Sequence, residues 1–151
     1  MSQQQTTRSI IVKGSPSELY RLWADLESFP RFMKNVKSVT KTGDRMTHWV
    51  VEGPLGKTVE WDAETTRTEE GQRLAWNSKE GSEVKTSGQV VFTELPDGET
   101  QVTVTLMVVP QGPLAAMAAG LFGKLDETLE GDLRNFKTYA EARQPAAVSR
   151  R

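Results

Sequence analysis

Between Pro113 and Ala142 apolar residues recur every three or four positions: Leu114, Ala118, Leu121, Leu125, Leu129, Leu133, Phe136 and Ala140. That is the period of a helix with a single buried face. Lys124, Glu127, Glu130, Arg134, Lys137 and Glu141 fall on the opposite face and keep it wet. Pro113 suits a first helical turn, where its missing N–H would have no partner, and Pro145 marks the stop. Such a helix runs about 45 Å at 1.5 Å per residue. Each Leu or Phe on the stripe contributes about 1.5–3 kcal/mol only if something covers it. The rest of the chain must therefore provide a cover of matching length.

The cover reads as an antiparallel sheet. Ile10, Ile11 and Val12 mark a first strand over Arg8–Lys13, broken at Gly14-Ser15-Pro16. Ser15, with Pro16 after it and Glu18 three residues on, has the spacing of a capping box. The helix that follows sets Leu19, Leu22, Trp23 and Leu26 on one face and is expected to end near Ser28, ahead of Pro30. Phe29, Phe32 and Met33 make an apolar knot resembling one more turn. From Val36 to Val109 six strand-like runs are separated by turn residues, of which Pro96-Asp97-Gly98 is the sharpest. Their alternation assigns faces. Trp49 and Val51 oppose His48 and Val50; Val59, Trp61 and Ala63 oppose Glu60, Asp62 and Glu64. Leu74, Trp76 and Ser78 share a side, as do Gly88, Val90 and Phe92, and Val102, Val104, Leu106 and Val108. The longer runs make strands of roughly 35–40 Å, close to the length of the helix. A sheet so long must twist and bend around what it covers. Gly88, in mid-strand, is read as a bend or bulge.

The fold class is then α+β: a curved antiparallel sheet of seven strands wrapped around a long C-terminal helix, with two short helices after the first strand. One domain spans residues 7–142, with flexible termini over 1–6 and 143–151.

Composition removes several functions. The 19 basic and 20 acidic residues nearly cancel, so no electrostatic footprint for nucleic acid is expected. There is no cysteine and one histidine, His48, which argues against a metal site or a catalytic triad; no cofactor is expected. No apolar run approaches the ~20 residues of a membrane span. The expectation is a cytoplasmic protein of undetermined oligomeric state without an integral membrane segment.

Order and residues together resemble the START-like, or Bet v 1-like, helix-grip superfamily. The likeness is to its polyketide cyclase/dehydrase and coenzyme Q-binding branch. It runs from about Thr7 to Ala142. It is carried by the stretch Leu22 to Met33, by Trp76-Asn77-Ser78, by Gly88 to Phe92 and by Asp132 to Lys137. The resemblance implies a cavity between sheet and long helix, of the kind that holds lipids, quinones, hormones or aromatic polyketides. It implies no single chemistry, because function resides in the site and not the fold.

The candidate ligand-binding residues are Trp23, Phe32, Trp49, Trp61, Trp76, Ser78, Phe92, Leu106, Met117, Leu121 and Leu125. Core packing is the alternative reading for each aromatic taken singly. Three tryptophans on one sheet face favour a lined pocket, since a buried indole N–H needs a partner. Ser78, Thr86 and Tyr139 are the polar residues placed to face it. A pocket of ligand size is roughly 300 Å³ or more. Glu60, Asp62 and Glu64 read as a solvated strand face. Residues Gly112 to Gly123 read as a lid or an ordinary frayed helix start. Nearly all charge falls outside the cavity, with Arg67 and Lys85 in uncertain register. That favours binding of an apolar or aromatic small molecule over two alternatives: a cyclase/dehydrase acting on a carbonyl compound, and an interaction module with a vestigial cavity.

Overall fold

The structure is a computed structural model and describes residues 4–52, 58–79, 84–110 and 125–143. The expectations for Pro113 to Lys124, among them Met117, Leu121 and the two glycines Gly120 and Gly123, lie outside the described residues, as does Pro145.

Seven strands form one sheet: β1 Gln4–Lys13, β2 Val36–Lys41, β3 Met46–Glu52, β4 Thr58–Glu69, β5 Arg73–Ser78, β6 Val84–Leu95 and β7 Glu99–Pro110. Their order is β1-β7-β6-β5-β4-β3-β2, and every neighbouring pair is antiparallel. β1 begins at Gln4, earlier than the Arg8 expected, because polar Gln4 to Thr7 pair with Val108 to Thr105 of β7. A ladder of backbone hydrogen bonds needs no apolar side chains to propagate.

Ser15 caps helix α1 (Pro16–Ala24) as its spacing predicts, accepting from the Glu18 N–H at 3.2 Å while its own N–H donates to Glu18 Oε1 at 3.0 Å. The helix stops at Ala24, four residues short of Ser28. The chain tightens at Asp25 into a 3-10 segment, Leu26–Arg31, that contains Pro30. The β6–β7 hairpin turns through Pro96–Gly98, with Asp97 at φ 67° and Gly98 at φ 76°. Glycine suits the second of these because it adopts positive φ without strain.

Helix α2 (Leu125–Ala142) lies across the concave face and is tied on both flanks. Towards β1, Lys137 donates to the Ile11 carbonyl at 2.9 Å and Glu141 accepts the Lys13 N–H at 3.0 Å. Arg8 pairs there with Asp126 and Glu130, at 3.3 and 3.5 Å. Towards the turn before β2, Asn135 donates to the Phe32 carbonyl and Asp132 accepts the Lys34 N–H, both at 3.1 Å. Leu129, Leu133, Phe136 and Ala140 are buried, as the stripe predicts. The helix, the 3-10 segment and α1 meet in an aromatic knot. Trp23 packs on Phe136, Phe29 and Phe32 with ring centroids 4.9, 5.5 and 5.7 Å apart.

Gly88 makes no bulge. Its register runs unbroken from Trp76 to Leu106. The glycine is required because the Trp76 ring lies over it: a Cβ there would stand 2.4 Å from Trp76 Cζ2. The register shifts fall elsewhere, between Val36 and Ser38 and between Thr65 and Arg67. Arg67 and Lys85 are both exposed.

Candidate functional site

The centre of the concave face is a parallel layer of indoles. Trp49 pairs with Trp61 across β3 and β4, and their rings stack at 5.9 Å and 11°. Trp76 stacks on Trp49 at 6.3 Å and 18°. It lies flat over β6 because Gly88 beneath it has no side chain. The Trp49 N–H is met by the buried Thr47 hydroxyl at 2.9 Å. Phe29 closes the layer edge-on, 5.3 Å from Trp49.

A cavity of about 100 Å³ lies between this layer and α2. Trp49, Trp61, Trp76 and Leu106 line it, together with Phe29, Met33 and Val51. Its volume is well below the 300 Å³ expected, because the flat indoles and Phe29 fill the concave face instead of standing around an open space. Trp23, Phe32 and Phe92 are buried but belong to the core behind it: Phe92 meets Tyr20 edge-on at 5.9 Å, and Phe32 packs on Phe136 at 5.1 Å. Ser78 accepts the Thr86 N–H at 3.0 Å, stitching β5 to β6, and Thr86 is the member of that pair on the cavity wall. Tyr139 lies outside, against Phe32 and under the Arg143 guanidinium at 4.0 Å. Leu125 opens α2, and its side chain is not among those described.

One ionisable residue of the cavity wall escaped the sequence reading. Asp132 is 8% exposed and lines the cavity from α2. Burial pushes its carboxyl up from 3.8 to about 6; the Lys34 N–H and the Lys34 charge offset part of that rise. The signal was in the chain: Asp132 stands three residues after Leu129 and four before Phe136, inside the apolar stripe. The expectation places nearly all charge outside, with Arg67 and Lys85 as the open cases; the charged residue that lines the cavity is Asp132 instead.

The outer face of β3 and β4 carries a separate cluster. His48 sits between Asp62 and Glu60, with Nδ1 and Nε2 each 2.9 Å from a carboxylate oxygen. The hydrogen bond to Asp62, then that to Glu60, raises the imidazole pKa above its ordinary value. The carboxylates approach opposite nitrogens, so the three groups do not converge on one point. Among the described residues no group of acidic, histidine or cysteine side chains is arranged to hold a metal ion. No described helix is long and apolar enough to cross a membrane.

Residues 12–134 match the family model for polyketide cyclase/dehydrase and lipid transport. The chain belongs to that family. Its fold is the START-like helix grip. A protein of Deinococcus radiodurans is similar at 30% identity over 93% of this chain and 100% of its own, with a TM-score of 0.75. A Streptomyces aromatase/cyclase shares the fold at 16% identity, covering 97% of this chain and 98% of its own, with a TM-score of 0.76. A START superfamily protein of Mycobacterium smegmatis shares it at 17% identity, 93% and 99% coverage and a TM-score of 0.71. Among curated protein sequences none matches.

Proposed function

We propose that this family member binds a hydrophobic or aromatic small molecule, of lipid, quinone or polyketide-like character, in the cavity between the sheet and α2. The observation that supports this reading is the layer of three parallel indoles forming one wall of an apolar cavity. Flat rings gain most from stacking against flat rings. The concave face also spends a buried glycine, Gly88, to seat Trp76.

The test is a screen of quinones, aromatic alcohols and fatty acids read by thermal shift and tryptophan fluorescence together. A ligand at a hundred times its Kd adds about 2.7 kcal/mol to stability. It should quench or shift the emission of Trp49, Trp61 and Trp76, and Trp76→Leu should weaken it at least tenfold. Compounds that shift melting without touching tryptophan emission would place binding elsewhere and defeat the reading.

A second reading is an enzyme of the cyclase/dehydrase kind, and Asp132 is the observation that favours it. A carboxyl holding its proton up to about pH 6 beside an apolar cavity has the property needed to pass a proton to or from a bound carbonyl compound near neutral pH. An Asp132→Asn variant that binds ligand but turns none over would favour this reading; unchanged turnover would remove Asp132 from it.

A further inference from the structure

The aromatic cavity has a wall in common with a second space. Asn35, Thr128 and Asp132 line the cavity, and the same three residues line an outer groove of about 320 Å³ between α2 and the turn before β2. The groove is completed by Lys34, Glu127, Gly131 and Asn135. Gly131 stands in mid-helix, where glycine weakens the helix relative to alanine. Close packing does not require it, since a Cβ there meets no atom within 4 Å. Its effect is to leave the groove open directly beside Asp132.

The two spaces differ in what they accept. The cavity, at about 100 Å³, is smaller than the engineered cavity of about 150 Å³ that takes one benzene, so a ring seated against the indoles extends towards the groove. The groove is polar. Asp132 Oδ1 accepts the Lys34 N–H at 3.1 Å. Its second oxygen has no hydrogen-bond donor among the described residues, although a carboxylate has acceptor sites on both oxygens. Among its described lining residues the groove carries one cation, Lys34, against the carboxylates Glu127 and Asp132. A neutral donor group fits that balance better than an anionic one.

We propose that the ligand lies across this shared wall. A ring-sized apolar end occupies the indole cavity, a hydroxyl donates to the second oxygen of Asp132, and the remainder runs out along the groove beside Gly131. The substrate class is therefore a non-anionic aromatic or alicyclic alcohol carrying a polar extension, not a long hydrocarbon swallowed whole. The inference rests on reading the cavity as a binding site.

Three probes separate the parts: toluene for the cavity, benzyl alcohol for the cavity and Asp132, and 2-(benzyloxy)ethanol for the cavity and groove. Affinities are measured by tryptophan fluorescence and ligand-observed NMR on the wild type, Asp132→Asn, Gly131→Leu and Gly131→Ala. Asp132→Asn replaces the charged acceptor by an amide N–H, towards which the ligand hydroxyl turns as a neutral acceptor. Gly131→Leu fills the groove while improving helix propensity, and Gly131→Ala supplies the propensity without the bulk. Toluene should bind all four proteins within about twofold. Benzyl alcohol should lose about fivefold on Asp132→Asn, the difference between a hydrogen bond to a charged group and one to a neutral group. The ether should lose about tenfold on Gly131→Leu and nothing on Gly131→Ala. If toluene binds but neither variant weakens the alcohol or the ether relative to it, the straddling geometry is wrong and the cavity site stands. If no probe binds the wild type, the cavity reading falls and this inference with it.

Discussion

Asp132→Asn tests the electrostatics of the cavity wall without any ligand. The Asp132 carboxyl rises from 3.8 to about 6 on folding. Between those values the folded chain binds a proton that the unfolded chain has released, so stability falls as pH climbs through the window and levels off above it. At 1.36 kcal/mol per pKa unit, the ionised group costs the folded state roughly 3 kcal/mol near neutrality. Asparagine removes that cost and retains an oxygen for the Lys34 N–H. Its new amide N–H, left unpaired at the wall, takes back about 1 kcal/mol. The variant should therefore be more stable than the wild type by about 2 kcal/mol near neutral pH, and equal or slightly less stable at about pH 4. Urea titrations of both proteins at about pH 4, 5, 6 and 7.5 supply the curves, with the difference in unfolding free energy as the readout. A variant destabilised at all four values by a similar amount would refute the reasoning. It would show the buried carboxylate is compensated in full by groups facing it.

Gly88→Ala should cost about 1–3 kcal/mol, as overpacking does, because its methyl meets the Trp76 ring; Trp76→Leu in the same chain should recover part of the loss, as a double-mutant cycle by denaturant titration would register. Leu129→Ala, at a fully buried position of α2, should cost about 2–5 kcal/mol, whereas exposed Glu127→Ala should cost under about 0.5 kcal/mol; similar small losses for both would mean the helix does not anchor the core. His48 has its pKa raised by Asp62 and then Glu60. Its contribution should be present in full below the unfolded value of 6.5 and fade as pH rises through the higher folded value. The stability gap between wild type and His48→Gln should therefore shrink with rising pH, and a gap constant from about pH 6 to about pH 9 would exclude the charged imidazole as its source.

The sheet was legible because its two faces differ in chemistry at every step. Glu60, Trp61, Asp62 and Ala63 alternate without exception, and the structure buries the apolar members alone. The described part of the long helix, α2, was legible by its stripe from Leu129 to Ala140, and α1 by its capping box. What escaped was decided by neighbours distant in sequence. A glycine in mid-strand signals either a bend or the close approach of another group, and only the position of Trp76 tells which. Asp132 was passed over because charge is ordinarily read as solvent-facing, yet a helix position is set by its angle around the axis and not by its polarity. The cavity's size could not be read because it depends on how four rings tilt. Alternation says which way Trp49, Trp61 and Trp76 point, not that they lie flat and parallel.

The clasp of α2 against β1 joins the first described element to the last. β1 pairs with β7 alone, and α2 is held to β1 by Arg8, Lys13 and Lys137 across more than a hundred residues of chain. Contacts of such separation form late and slowly. During synthesis, at roughly 5–20 residues per second, the strands that carry the three indoles, β3, β4 and β5, are made before the helix that covers them. For those seconds the nascent chain displays an aromatic surface that the finished protein conceals. Transiently exposed apolar surface of this kind is what makes folding intermediates prone to aggregate.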